Sequence, residues 1–178
     1  MRIAGIDAGL DSTGFAILDT AINDFIVIER IKTTKKKATP SNQHRARYIA
    51  GEISQLLMFN SVDVVVIEDI FINPKRPSAI IPVARLRGHI EQAVLDLEYP
   101  GLHVLRSTQV KQAVAGKGNS KKEDCFHAIK ALYPHSKLLK KALGPKFIGD
   151  GKDKNDDISD ACCVAHAYFV NPSVAEFL

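Results

Sequence analysis

The most regular apolar stretch of the chain is Val62-Asp63-Val64-Val65-Val66-Ile67, followed at once by Glu68. A run this rich in β-branched residues is typical of a central strand that is covered on both faces of its sheet. A second apolar strand opens the chain at residues 2–7 and ends in Asp7. A right-handed crossover would place the two strands parallel, with their final carboxylates at the same edge of the sheet. Because neighbouring strands lie about 4.8 Å apart, we expect Asp7 and Glu68 to be close enough to share a metal ion.

The remaining segments complete an α/β pattern. Residues 15–18 and 25–31 are predicted to form strands that make an antiparallel meander with residues 2–7, and residues 102–105 a further strand. Apolar residues at helical spacing predict helices over residues 41–59, 78–98, 109–115, 120–133 and 156–170, whereas residues 135–155 are expected to be irregular. We therefore predict one domain over residues 1–178, with a five-stranded mixed sheet flanked by helices on both faces.

The bulk composition limits the function only broadly. The 178 residues carry a net charge of +4 at pH 7, which is a weak sign of an anionic partner such as nucleic acid. No apolar run approaches the roughly 20 residues of a transmembrane helix, and the first residues lack the pattern of a signal peptide. We therefore expect a soluble, cytoplasmic protein with no membrane partner. Cys125, Cys162 and Cys163 show no zinc-binding spacing and are expected to be buried, reduced thiols.

Two further carboxylates, Asp157 and Asp160, lie in the first turn of the last predicted helix. Their i, i+3 spacing places them on one helix face, about 5–6 Å apart at Cβ. Acidic residues are common in first turns because they favour the helix dipole, so this pair alone would be weak evidence. Together with Asp7 and Glu68 it makes a cluster of like charges that Mg²⁺ or Mn²⁺ would neutralise. We predict that these four acids hold two metal ions bridged by Asp7, as in a metal-dependent nuclease.

Basic residues surround the predicted acidic edge. Each one alone is more typical of a solvated surface charge, but as a set they would hold the phosphates of DNA. The candidates are Lys75, Arg76, Arg85, Arg87, Lys111, Lys117, Lys121 and Lys122. Phe71 lies in a polar loop, where it is either packed locally or stacked on a base. The lysines of residues 137–154 are interpreted as a mobile solvated segment, with DNA contact as the alternative, and Asp153 and Asp156 as solvated loop residues.

Four segments together resemble the motifs of the RuvC-type Holliday-junction resolvases. Gly5-Ile6-Asp7-Ala8-Gly9-Leu10-Asp11-Ser12-Thr13-Gly14-Phe15 is similar to the first motif, and Val65-Val66-Ile67-Glu68-Asp69-Ile70-Phe71 to the second. The third is matched by Val110-Lys111-Gln112-Ala113-Val114 and Gly116-Lys117-Gly118-Asn119-Ser120-Lys121-Lys122, and the last by Asp157-Ile158-Ser159-Asp160-Ala161. The order and spacing of these segments match the family over nearly the whole chain.

The resemblance implies an RNase H-like fold and nicking of two opposed strands in a four-way DNA junction, as in DNA recombination and repair. It implies metal-binding catalytic roles for Asp7, Glu68, Asp157 and Asp160, with two Mg²⁺ ions per site for which Mn²⁺ would substitute. It places Lys111 and Lys122 near the scissile phosphate and Phe71 against the junction.

The resemblance also implies a homodimer, with the helix at residues 78–98 contributing to the interface. A two-fold junction needs paired active sites, which an isologous dimer supplies. The sequence does not reveal whether a branch-migration motor is a further partner.

The chain departs from the family pattern at three places. Ala8 stands where proline is usual, and the loop between Phe71 and Arg87 is slightly longer. Residues 138–155 form a longer lysine-rich stretch than in typical bacterial members. This last departure is typical of a phage or otherwise divergent member with broader branched-DNA activity.

Three other functions share features with this interpretation. The first motif also resembles the phosphate-binding turn of actin-like ATPases, but that fold needs two lobes and 178 residues are too few. A non-catalytic junction-binding module predicts the loss of at least one acid, and all four are present. An RNA–DNA hybrid nuclease would keep the fold and the acids, and only the resemblance favours branched DNA over it.

Overall fold

A computed structural model of the chain describes residues 1–33, 41–70, 80–99, 102–149 and 154–177. The strands within these ranges are β1 (Arg2–Asp7), β2 (Ser12–Asp19), β3 (Asp24–Lys32), β4 (Val64–Glu68), β5 (Leu102–Leu105) and β6 (Glu176–Phe177). The helices are α1 (Asn42–Asn60), α2 (Ile80–Asp96), α3 (Ser107–Ala115), α4 (Lys122–Leu132), α5 (Lys137–Leu143) and α6 (Asp156–Val170). The predicted start of the second long helix at residue 78 lies outside the described residues. Among the residues described, no helix is long and apolar enough to cross a membrane.

The six strands form one mixed sheet in the order β3-β2-β1-β4-β5-β6. β1, β4 and β5 are parallel, β2 is antiparallel to both β1 and β3, and β6 is antiparallel to β5. The predicted parallel pairing of the first strand with residues 62–67 is confirmed, with Ile6 opposite Ile67. The predicted number of five strands is one too few, because β6 has only two residues and so carries no alternating pattern.

Helices cover both faces of the sheet, as predicted. Val65 and Ile67 of β4 belong to a core that also contains residues of α1 and α2, whereas Val66 belongs to a second core on the opposite face with residues of α3 to α6. Successive side chains of a strand point to opposite faces, so one apolar run supplies both cores. The double coverage explains why the sequence of β4 is apolar without interruption.

Helix α5 occupies part of the segment that the sequence predicts to be irregular. Leu139 and Leu143 are buried, and the Ser136 hydroxyl caps the helix by accepting a hydrogen bond from the backbone N–H of Leu139 at 3.2 Å. Seven residues make only two turns, which is too short for helical periodicity to stand out among the lysines. Packing against the core therefore decides the conformation of this segment.

Candidate active site

The strand register brings the first two acids together. Ile6 of β1 lies opposite Ile67 of β4, so Asp7 and Glu68 are the next residues along two adjacent parallel strands. Both residues keep some solvent exposure at the carboxyl edge of the sheet, although their carboxyl groups are largely surrounded by protein. Backbones at this spacing lie about 4.8 Å apart, which is close enough for the two carboxylates to interact directly.

Two glycines let helix α6 lie directly against the sheet beside these acids. A Cβ atom on Gly14 would lie 2.0 Å from the carbonyl oxygen of Asp157, and one on Gly5 would lie 2.3 Å from that of Ala161. No larger residue fits at either position without moving the helix. Because Gly14 pairs with Asp7 across β1 and β2, the first turn of α6 carries Asp157 to the edge where Asp7 lies.

Two lysine ammonium groups lie among the carboxylates. Lys122 Nζ donates to Asp160 Oδ2 at 2.5 Å and lies 3.3 Å from Asp156 Oδ2. Lys154 Nζ donates to Asp157 Oδ1 at 2.8 Å and lies 3.8 Å from Asp156 Oδ1. Burial lowers the pKa of Lys122, but the surrounding carboxylates outweigh it and hold that pKa above its ordinary value. Negative and positive groups therefore alternate through the cluster.

Asp156 is a fifth acid of this cluster, and its interpretation as a solvated loop residue is wrong. It is the first residue of α6, and only 8% of it is exposed. The sequence did contain a signal, since Asp156 and Asp160 are four residues apart and so share a helix face. Lys154, interpreted as part of a mobile segment, is held by Asp157, and Asp153 lies outside the described residues.

Burial and mutual repulsion make three of the acids hold protons more tightly than usual. The pKa of Asp7 lies well above its ordinary value because the group is buried and close to Asp160 and Glu68. Burial and Asp160 raise the pKa of Glu68, while a hydrogen bond from the Ser107 hydroxyl opposes the rise. Burial also raises the pKa of Asp160, although Lys122 opposes it. Each of these carboxylates would be stabilised in its charged form by added positive charge.

The donor set suits divalent metal ions. Asp156 Oδ1 and Asp157 Oδ2 are buried and meet no hydrogen-bond partner within the described residues, which leaves oxygens for a hard cation. Across the described ranges, however, no three acidic, histidine or cysteine side chains are arranged to hold one ion together as they stand. Lys122 and Lys154 explain this arrangement, because their ammonium groups separate the carboxylates.

A small cavity of about 40 Å³ opens beside Glu68 and Asp160. The other lining residues are Ser107, Val110, Lys111, Lys122, Cys125 and Cys163. The structure thus brings Lys111 and Lys122 together next to the acids. Ser107 was not predicted, because its position beside Glu68 arises only from the tertiary structure. The prediction of buried, unpaired cysteines is confirmed.

The remaining predicted DNA contacts differ in their exposure. Lys117, Lys121 and Arg85 are exposed. Arg87 is a correction to the prediction, since it is 7% exposed and its Nε donates to Glu91 Oε1 at 2.6 Å. Its Nη1 also lies 3.9 Å from Asp69 Oδ1, so this guanidinium is paired within the protein and is not free for a phosphate. The predicted contacts Phe71, Lys75 and Arg76 lie outside the described residues.

Comparison with known proteins finds relatives that match the chain along most of its length. A family model described as crossover junction endodeoxyribonuclease RuvC matches residues 3–167. The protein of that name from Alkaliphilus metalliredigens is 32% identical over 94% of this chain and 93% of its own length. The one from Ehrlichia ruminantium is also 32% identical, over 96% of this chain and 98% of its own.

A solved structure is similar over the whole chain. Thermus thermophilus RuvC in complex with a Holliday junction substrate has a TM-score of 0.77 at 20% identity, covering 100% of this chain and 99% of that chain. At this identity the likeness shows the fold alone, and it confirms the predicted RNase H-like class.

Proposed function

Because the chain belongs to the RuvC family of crossover junction endodeoxyribonucleases, we propose that it resolves four-way DNA junctions by nicking two opposed strands. One observation carries the proposal: acids from β1, β4 and α6 converge at the carboxyl edge of the sheet, with lysines beside them. These residues are Asp7, Glu68, Asp157, Asp160, Lys111 and Lys122. The Holliday junction in the complex of the Thermus thermophilus relative supports branched DNA as the substrate class.

We assign the four carboxylates to two metal ions. Asp7 lies between Glu68 on the adjacent strand and the first turn of α6, so it is placed to bridge them. Ligands that are all oxygen favour Mg²⁺, with Mn²⁺ as a substitute. When bound, the two ions would activate the attacking water and stabilise the leaving 3′ oxygen. Asp157 Oδ2 meets no hydrogen-bond partner among the described residues and is open to an ion. Asp157 Oδ1 and Asp160 Oδ2 become available only when the ammonium groups of Lys154 and Lys122 move away.

Lys111 and Lys122 are assigned to the scissile phosphate. Both line the cavity beside Glu68, where a phosphate oxygen would lie within reach of their ammonium groups. Once Lys122 moves from Asp160, Asp156 keeps it at the site, because Asp156 Oδ2 already lies 3.3 Å from its Nζ. The exposed Lys117 and Lys121 would then contact the backbone on one side of the nick.

Symmetric nicking requires two active sites related by a two-fold axis, so the acting species is proposed to be a homodimer. Helix α2 is the proposed interface element, and its Ile81 and Leu95 are 55% and 56% exposed. Light scattering should then give about twice the chain mass of 19.5 kDa.

Cleavage of a synthetic immobile four-way junction tests the proposed function. Each strand is end-labelled in turn, and products are compared with those from linear duplex and an RNA–DNA hybrid of matched sequence. We expect symmetric paired nicks in the junction with Mg²⁺ and no products with EDTA. Comparable cutting of linear DNA would indicate a general nuclease, and preferred cutting of the hybrid a hybrid nuclease. Tight junction binding without cutting in Mg²⁺ or Mn²⁺ would overturn the proposal in favour of a binding module.

A further inference from the structure

A groove on the α6 face of the sheet carries cations that the proposed cleavage chemistry does not use. It has a volume of about 350 Å³ and lies between strand β3 and helix α5 with its following turn. Its basic residues are Arg30 of β3 and Lys141 of α5. Ile158, in the first turns of α6, closes it on the side of the acidic cluster.

Arg30 lies in line with the proposed active site. It is opposite Gly14 in the pairing of β2 with β3, and Gly14 is opposite Asp7 in the pairing of β1 with β2. Residues directly opposite each other point to the same face of a sheet. Two strand spacings therefore separate the backbones of Asp7 and Arg30, a distance of about 10 Å. The first turn of α6 lies over Gly14 between these two residues, and the groove lies on its β3 side.

Among the carboxylates that the structure describes, neither cation has a partner. Within the described part of the chain, the Nε atom of Arg30 meets no hydrogen-bond acceptor. Among the same residues, neither Arg30 nor Lys141 forms an ion pair. A buried donor without an acceptor costs free energy unless a ligand supplies one. A guanidinium presents its donors in a planar fork that matches phosphate oxygens.

The α5 side of the groove is fixed to the helix that carries the acids. Asn155, at the start of α6, donates from its side-chain Nδ2 to the carbonyl oxygens of Leu143 at 2.6 Å and Lys146 at 2.8 Å. Its Oδ1 accepts a hydrogen bond from the backbone N–H of Ile148 at 2.8 Å. Asn155 is only 5% exposed, so these bonds are shielded from water. The position of Lys141 is therefore set relative to the acidic cluster.

We propose that this groove is a second phosphate-binding site, which holds the backbone of the substrate DNA a short distance from the nick. The proposal rests on the proposed function, because its occupant is the DNA strand that leaves the acidic cluster past the first turn of α6, which lies over Gly14. Neither Arg30 nor Lys141 touches the carboxylates, so the groove acts on DNA binding and not on the chemical step. Lys141, Leu143 and Ile148, which belong to the lysine-rich stretch of the chain, supply one wall of this site.

Two double variants of equal charge test the proposal. Arg30→Gln with Lys141→Gln removes both groove cations. Arg47→Gln with Lys140→Gln removes an exposed arginine of α1 and the exposed neighbour of Lys141, neither of which lines the groove. Binding of each protein to a labelled four-way junction is measured in EDTA between about 50 and 200 mM salt.

The groove variant should bind about tenfold more weakly than the wild type. The slope of log K against log salt should become shallower by about 2 units, one for each phosphate that the variant no longer neutralises. The control variant should stay within about twofold of the wild type, because exposed charges away from the DNA contribute little. When the groove variant is in saturating excess over the junction in Mg²⁺, its single-turnover rate of cutting should match that of the wild type.

Misfolding as the cause of weaker binding is excluded in two ways. The single variant Lys141→Gln changes only an exposed position, and thermal unfolding is measured for every variant. If the wild type cuts the junction but the two double variants have equal salt slopes, the proposal that the groove binds phosphate is overturned. The proposed function then stays intact. A wild type that does not cut the junction would overturn the proposed function. In that case the same slopes measured on linear duplex would still decide whether the groove binds phosphates.

Discussion

Lys122 and Lys154 serve as internal cations for a cluster that holds more negative than positive charge. Five carboxylates, from Asp7, Glu68, Asp156, Asp157 and Asp160, lie among these two ammonium groups and that of Lys111. Partly buried like charges destabilise the folded state unless cations offset them. Under the proposed function, the protein gives up stability at this cluster in order to bind metal ions and DNA.

Asp7→Asn should raise the stability of the metal-free protein, because it removes a charge that burial and its neighbours disfavour. We expect an increase of about 1 kcal/mol in the free energy of unfolding, typical for relief of a functional site. Chemical denaturation in EDTA at pH 7 measures it. Glu29→Gln, at an exposed position of β3, should change this free energy by less than about 0.5 kcal/mol. A destabilised Asp7→Asn protein would contradict the electrostatic interpretation.

The stability of the metal-free protein should fall as the pH rises above about 4. The pKa values of Asp7, Glu68 and Asp160 are raised in the folded state, so between their unfolded and folded values the folded protein binds more protons. Each carboxyl group therefore loses its stabilising contribution as it ionises. Denaturation series across this pH range should show this decline in the free energy of unfolding for the wild type in EDTA. The decline should be weaker for Asp7→Asn in EDTA, and weaker again for the wild type in Mg²⁺. An increase in EDTA would contradict the prediction.

Helix α6 shows what the sequence could and could not predict about an element. Its bounds follow from helical periodicity and the terminal Asn171-Pro172, and the prediction of residues 156–170 is confirmed. Its approach to the sheet depends on Gly5 and Gly14, whose partners on α6 are far away in sequence. For the same reason the contacts of Lys122 and Ser107 with the acids could not be predicted.

Gly14→Ala should disturb this approach, since its Cβ atom would lie 2.0 Å from the carbonyl oxygen of Asp157. We expect a decrease of about 1–3 kcal/mol in stability and slower cutting, because α6 must shift with its acids. Gly51→Ala is the control, because a Cβ atom there meets nothing within 4 Å. In the middle of α1 it should stabilise the protein by about 0.5–1 kcal/mol. The prediction would be contradicted if denaturation showed both variants to be more stable than the wild type, or both to be less stable.

Asn155→Ala should loosen the segment that follows α4. The substitution removes three side-chain hydrogen bonds to residues 143–148, one buried and two partly buried, a change of about 2–3 kcal/mol. Hydrogen exchange should become faster in α5 and the following turn, while α1 on the opposite face serves as the internal control. Unchanged exchange in α5 would show that Asn155 does not hold the segment.

The architecture of the whole molecule was largely predictable because its long elements carry strong patterns. The apolar run of β4 indicated a central strand. Because crossover connections are right-handed, this strand was predicted beside and parallel to β1, and hence Asp7 beside Glu68. The short elements α5 and β6 were missed, since few residues give little periodicity. Their positions depend on packing against the completed core, which no local pattern contains.

The most direct test of the site is junction cutting by Asp7→Asn beside the wild type, with all four strands labelled and binding measured in parallel. With Mg²⁺ the wild type should give paired nicks in opposed strands. Asp7→Asn should bind the junction as tightly but cut it at least about a hundredfold more slowly, since the carboxylate proposed to bridge the two metal ions is missing. Cutting by Asp7→Asn at the wild-type rate would place the chemistry elsewhere and contradict the assignment of the acidic cluster as the active site.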